Sequence, residues 1–170
     1  MKVINLFAGP RVGKSTLAAG VFYELRKNQI SVELDFNYEQ HFEDQFYILA
    51  KQYRKLNMLQ NFEYAITDSP LLQTVIYNNP EKFNQILYEQ VALELYNKYN
   101  NINFLIERNN KDFTYQKWNC NESITEALLY DEKIKSLLDK NNIPYTTLKS
   151  NRITVTKIIN KIFEINLSKE

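Results

Sequence analysis

Nine consecutive residues, Ala8-Gly9-Pro10-Arg11-Val12-Gly13-Lys14-Ser15-Thr16, carry the most specific chemistry in the chain. They follow a short apolar segment, residues 3–7, and open a helical period over residues 14–28. In a strand–loop–helix setting, successive backbone N–H groups and a helix N-terminus favour phosphate oxygens. Gly13 lets the backbone come close. Lys14 can reach the outer phosphates of a nucleotide, and the Ser15 hydroxyl can bind Mg²⁺. The nucleotide-binding candidates are therefore Gly9, Pro10, Arg11, Val12, Gly13, Lys14, Ser15 and Thr16. The pattern GxxxxGK[ST] is met except at its first position, which is Ala8, with Gly9 one residue later. Alanine is a mild departure where φ is negative, since only a positive φ would strongly favour glycine. The plain alternative is a glycine turn ahead of a helix with an exposed lysine.

A second element is Ala65-Ile66-Thr67-Asp68, which sets a carboxylate at the end of a short strand over residues 64–68. Open α/β sheets bind ligands at the carboxyl ends of their strands. Asp68 could there hold Mg²⁺ together with Ser15, or could simply cap the turn that Pro70 begins. Asp35, near the end of a second strand marked by Val32, Leu34 and Phe36, is the nearest carboxylate able to take a proton from a substrate hydroxyl. A solvated strand-end charge is its other reading. Arg108 ends a fourth strand over residues 102–106 and could neutralise charge on a transferring phosphoryl group.

The elements that must position these groups alternate along the chain. A helical face of Phe46, Leu49, Ala50, Tyr53 and Leu56 follows the second strand. Another, of Phe83, Leu87, Val91 and Leu95, precedes the fourth. Ser123-Ile-Thr-Glu126 has capping-box spacing ahead of Ala127, Leu128, Ile134, Leu137 and Leu138. Residues 144–148 read as a fifth strand, and Val155, Ile158, Ile159, Ile162 and Phe163 as a last helix. Strands separated by helical crossovers imply a parallel sheet covered on both faces. The expected architecture is a three-layer α/β domain spanning residues 1–170, with about five parallel strands and the first of them central. Residues 109–122 are polar and without periodicity, a candidate lid.

Composition narrows the function classes. The chain has 170 residues, 44% hydrophobic and 24% charged, with a net charge of +1, as one globular domain has. Binding nucleic acid by broad electrostatics calls for a larger basic surplus, so a nucleic-acid partner is not expected. No apolar run is long enough to cross a membrane, and the N-terminus reads as a strand rather than a signal peptide. A cytoplasmic protein is the expectation. One cysteine, Cys120, and one histidine, His41, exclude an internal disulfide and argue against zinc or histidine-based chemistry.

Taken together, Phe7-Ala-Gly-Pro-Arg-Val-Gly-Lys-Ser-Thr16, Gln45-Phe-Tyr-Ile-Leu-Ala-Lys-Gln52, Ile66-Thr-Asp-Ser-Pro-Leu-Leu72, Phe104-Leu-Ile-Glu-Arg108 and Asp131 resemble the small P-loop kinases. These include nicotinamide riboside kinase domains and phage-encoded nucleoside or nucleotide kinases. The resemblance covers most of the chain. It implies a strand order 2-3-1-4-5 and ATP- and Mg²⁺-dependent phosphoryl transfer to a small nucleoside-like or nucleotide acceptor. The acceptor pocket would draw on Tyr38, Gln45, Gln52 and Arg54. Two departures stand out. Asn37 takes the place where the family often has a glutamate, and Trp118-Asn119 the place of a Gly-Arg pair. They leave open a second class, a P-loop module that binds nucleotide with its kinase chemistry lost or repurposed.

Overall fold

The computed structural model describes residues 1–35, 44–109 and 124–167. Five strands form one parallel sheet: β1 (Lys2–Phe7), β2 (Val32–Asp35), β3 (Tyr64–Thr67), β4 (Asn100–Glu107) and β5 (Thr146–Lys149). Their order is β2-β3-β1-β4-β5, as expected, with β1 in the centre between β3 and β4. Among the described residues five α-helices connect them, α1 (Lys14–Lys27), α2 (Gln45–Met58), α3 (Thr74–Tyr77), α4 (Gln85–Tyr96) and α5 (Ile124–Lys140), and α6 (Thr154–Leu167) follows β5. A 3-10 turn, Leu71–Gln73, precedes α3. Neither it nor α3 has a hydrophobic period long enough to read from the sequence.

Strand alternation divides the core in two. Ile4 and Leu6 of β1, with Ile66, Phe104 and Ile106, pack under α1 and α6 through Val21, Leu25, Ile158 and Ile162. Val3 and Phe7, with Ala65 and Leu105, face α2, α3, α4 and α5 through Leu49, Val75, Tyr88, Ala92 and Ile134. No described helix is long and apolar enough to cross a membrane.

Two helices turn a different face inward than hydropathy predicts. In α2 the buried residues are Gln45, Ile48, Leu49, Gln52 and Leu56, while Phe46 and Ala50 are exposed. In α4 the buried stripe is Tyr88, Ala92 and Tyr96, and Leu87 is exposed. Leu128 of α5 likewise faces out. In α2 and α4, glutamine amides and tyrosine hydroxyls find positions inside, so an apolar count misplaces the stripe.

The second half-core also holds a polar seam. Asn5, 2% exposed in the middle of β1, donates from Nδ2 to Asn101 Oδ1 at 2.9 Å and to Asn103 Oδ1 at 3.0 Å on β4. Tyr96 Oη donates to Asn103 Oδ1, and Asn103 Nδ2 donates to the Pro144 carbonyl. A buried amide is tolerated because its partners are supplied on the neighbouring strand.

Candidate functional site

The carboxyl ends of four strands converge on the loop after β1. Asp68 follows β3, Arg108 follows β4 and Ser150 follows β5. The loop adopts left-handed backbone at Arg11 (φ 64°) and Gly13 (φ 91°), while Ala8 is not among the residues of positive φ. The glycine missing from position 8 is therefore not needed for conformation. Gly9 is needed for space. A Cβ there would lie 2.2 Å from Asp131 Oδ1 and 2.9 Å from Arg108 Nη2.

Side chains from four elements hold the loop backbone in its curve. Gln73 Nε2 donates to the Ala8 carbonyl at 3.1 Å, Arg108 Nη2 to the Pro10 carbonyl at 2.6 Å, and Ser150 Oγ to the Val12 carbonyl at 2.9 Å. Asp131 Oδ1 accepts from the Gly9 N–H at 2.9 Å. With carbonyls 8, 10 and 12 each tied to a neighbouring element, the loop is pre-shaped. Lys14 is buried at 7% exposure, and its Nζ donates to the carbonyls of Ala8 and Gly9, both at 2.8 Å.

Ser15 Oγ donates to Asp68 Oδ2, and Asp68 is 2% exposed. A hydroxyl and a carboxylate oxygen side by side are hard donors of the kind Mg²⁺ takes. That ion is usually held by one or two protein oxygens with phosphate and water completing the shell. No cluster of three or more His, Cys, Asp or Glu side chains suited to a metal occurs among the described residues. The donor set thus fits Mg²⁺ held jointly with a phosphate, and does not fit a self-contained metal site.

Asp35 lies on the same sheet face as Thr67, opposite which it pairs in register. It is buried, with Lys55 Nζ of α2 at 3.2 Å. Burial pushes its carboxyl above the ordinary carboxylate range. Lys55 opposes that shift, and the Asp68 charge adds to it.

Arg108 sits differently from the expectation. Its Nε donates to Asp131 Oδ2 at 2.5 Å and its Nη2 to the Pro10 carbonyl, with the side chain 8% exposed. The guanidinium shapes the loop and is engaged with an α5 carboxylate, and Arg108 also lines a cleft beside the loop. Gln45 and Gln52 turn inward together from α2, 8% and 3% exposed, and Gln52 Oε1 is buried with no hydrogen-bond partner. Arg54 does not join them: two residues on from Gln52 it faces solvent. Asn37, Tyr38 and His41, and Trp118, Asn119, Cys120 and all the candidate lid except Asn109, lie outside the described residues.

Beside the loop, a cleft of about 840 Å³ is lined by Gly13, Thr16, Leu17, Ser150, Arg152 and Ile153, among others. It lies on the β5 side of the phosphate loop and has room for a nucleotide base. Gln73, Ser150 and Lys55 are site residues that sequence reasoning missed. Ser150 had a legible signal, since it is the first residue after β5 at the sheet edge that binds ligands.

An alanine at position 9 tests the close approach. Gly9→Ala should lower stability by about 1–3 kcal/mol, the usual cost of overpacking, read by denaturant or thermal unfolding. The loss should be smaller in an Asp131→Ala background, where the clashing oxygen is gone. Equal losses in both backgrounds would refute this account.

No protein-family model and no curated protein matches the chain. Among solved structures, it is similar to thymidylate kinase from Ehrlichia chaffeensis, with a TM-score of 0.61 and 14% identity over 96% of this chain and 97% of that one. A de novo designed P-loop fold protein aligns over 99% of this chain and 96% of its own, at 10% identity and a TM-score of 0.44. At its low identity the first likeness establishes the P-loop kinase-like fold alone.

Proposed function

We propose that the chain is an ATP- and Mg²⁺-dependent phosphotransferase acting on a small nucleoside-like or nucleotide acceptor. The observation that carries this reading is the meeting of three groups at one sheet edge. Lys14 is folded back onto its own loop, Ser15 is bonded to Asp68, and Asp35 is buried on the neighbouring strand. On this reading the loop N–H groups and Lys14 bind the nucleotide phosphates. Ser15 and Asp68 hold Mg²⁺, which when bound neutralises phosphate charge. Asp35 takes the proton from the acceptor hydroxyl as the new O–P bond forms, the bond from the γ-phosphorus to the bridging oxygen breaks and ADP leaves. Gln45 and Gln52 orient the acceptor through hydrogen bonds that an amide can both give and take. Tyr38 belongs to the same proposed pocket.

The test is ADP release from MgATP across nucleosides, deoxynucleoside monophosphates and nicotinamide riboside. One acceptor class should raise it at least tenfold over the acceptor-free rate, the scale on which pocket contacts discriminate. Binding of MgATP with no acceptor-dependent release would favour the second reading, a nucleotide-binding module. The engagement of Arg108 with Asp131 and Pro10 supports that reading, because it ties one cation to α5 and the loop.

A further inference from the structure

A cavity of about 350 Å³ opens between the start of α2 and the segment joining α3 to α4, lined by Asp44, Gln45, Phe46, Asn78, Lys82 and Phe83. That volume is in the range of small-ligand sites. The two segments belong to the crossovers that leave β2 and β3, so the cavity lies toward the carboxyl edge of the parallel sheet, where such sheets bind ligands. Its wall is aromatic. Phe46 and Phe83 stack with ring centroids 5.1 Å apart and planes 19° from parallel, and Tyr88 meets both edge-on. Tyr88 is fully buried and donates from Oη to the Gln45 carbonyl at 2.6 Å, which holds the stack in place. Phe46 is nevertheless 45% exposed, so a fixed ring offers a free face to another flat ring.

The polar groups of the cavity are sorted by what they already hold. Asp44 Oδ1 caps α2, accepting from the Tyr47 N–H at 3.0 Å, and the second carboxylate oxygen remains. Asn78 Nδ2 donates to the Phe83 carbonyl at 3.0 Å and to Gln85 Oε1 at 2.7 Å. Gln85 is fixed in turn, because its Nε2 donates to the Val75 carbonyl. Both N–H groups of Asn78 are therefore spent, and what it has left is a carbonyl. Two side chains of this cavity can only accept.

We propose that the cavity holds the base of the acceptor, on the reading above that the acceptor is nucleoside-like, and that it selects a base with an exocyclic amine over one with a carbonyl in that place. A ring amine has two N–H groups and can serve both oxygens. A uracil-type edge has one N–H set between two carbonyls, so one oxygen goes unserved and a carbonyl is turned toward it, which repels. Lys82 can donate to ring nitrogens and ring carbonyls alike and does not discriminate. The ring itself stacks on Phe46.

The experiment measures Kd by calorimetry on the full chain for cytidine against uridine and for adenosine against inosine, with MgADP present to fill the cleft beside the phosphate loop. In at least one pair the amino member should bind about tenfold more tightly, the scale set by one polar group left unserved. Phe46→Ala should weaken both members of that pair about tenfold, since stacking does not tell them apart. Asp44→Asn is the sharper variant. Its amide oxygen still caps α2, but the second oxygen becomes an N–H donor, so the preference should vanish or turn toward the oxo member. Its melting temperature should stay within a few degrees of wild type. Equal affinities within both pairs would overturn the proposal. So would an unchanged preference in Asp44→Asn, or an early-melting variant that weakens both members alike, which marks a purely structural role. Amine-selective binding without ADP release would keep this assignment and remove the kinase reading. ADP release raised equally by both members of each pair would do the reverse.

Discussion

Lys14→Met is expected to reduce phosphoryl transfer by about two to four orders of magnitude, about 3–5 kcal/mol of transition-state stabilisation. Methionine keeps most of the aliphatic stem that packs in the buried site and removes only the ammonium. In the transition state the γ-phosphoryl oxygens gather charge, and a cation placed beforehand gains there more than in the ground state. The loss should therefore fall mainly on kcat, with a smaller change in MgADP affinity. Removing the ammonium also takes a donor from the Gly9 carbonyl. Because of this, the variant's unfolding curve should be recorded beside its kinetics. Wild-type turnover in Lys14→Met would defeat the proposed role, whatever happens to affinity.

The second large effect is expected at Asp35. Asp35→Asn should lower kcat by about two to four orders of magnitude and leave acceptor Kd nearly unchanged, because the amide keeps the shape but cannot take the proton. The pH dependence carries a further sign. Burial raises the folded-state pKa of this carboxyl, so the ionised, proton-accepting form is reached only above the ordinary carboxylate range. The acid limb of kcat should lie there. Lys55 opposes the shift, so Lys55→Met should move that limb to still higher pH. Stability runs the other way. Between the unfolded and the raised folded pKa the native state holds more protons, so Asp35 makes stability fall as pH rises through that window. Asp35→Asn removes this slope. Its remaining cost, the lost ion pair with Lys55, is small because that side chain is 39% exposed and can be hydrated. At neutral pH the variant should be at least as stable as wild type while nearly inactive. Equal kcat values would eliminate Asp35 as the base.

The phosphate loop and the alternation of strands and helices were legible because both rest on patterns that act over a few residues, whereas the strand order came only from the resemblance to P-loop kinases. An apolar run leads into a glycine loop and a helix, and a carboxylate closes a strand. Asp68 beside Ser15 follows once the topology is known, since both stand at the same sheet edge. What escaped was the set of contacts made across the chain. Arg108 meets Asp131 from 23 residues away, and nothing in either local pattern announces the pair. Gln73 sits on a 3-10 turn, where no period marks which side chains face inward. In α2 the inward face carries two glutamines, so hydrophobicity pointed to Phe46 and Ala50 instead. Arg54, expected in the pocket because it follows Gln52 and Tyr53, is exposed.

The asparagine seam bears on how the phosphate loop reaches its place during folding. Asn5 finds its partners 96 and 98 residues further along the chain. β1 is thus aligned by a strand far along the chain from it. An all-apolar β1 could pair with β4 in several alignments of similar energy. Here a two-residue slip toward the carboxyl end of β4 would set the Asn5 amide opposite Leu105, and each buried polar group left unpaired costs about 1–3 kcal/mol. The same slip would carry the loop about 7 Å along the sheet, out of reach of Arg108 and Asp131. Amides in the core thus act as a proofreading step for strand alignment, and the curve of the phosphate loop depends on that alignment.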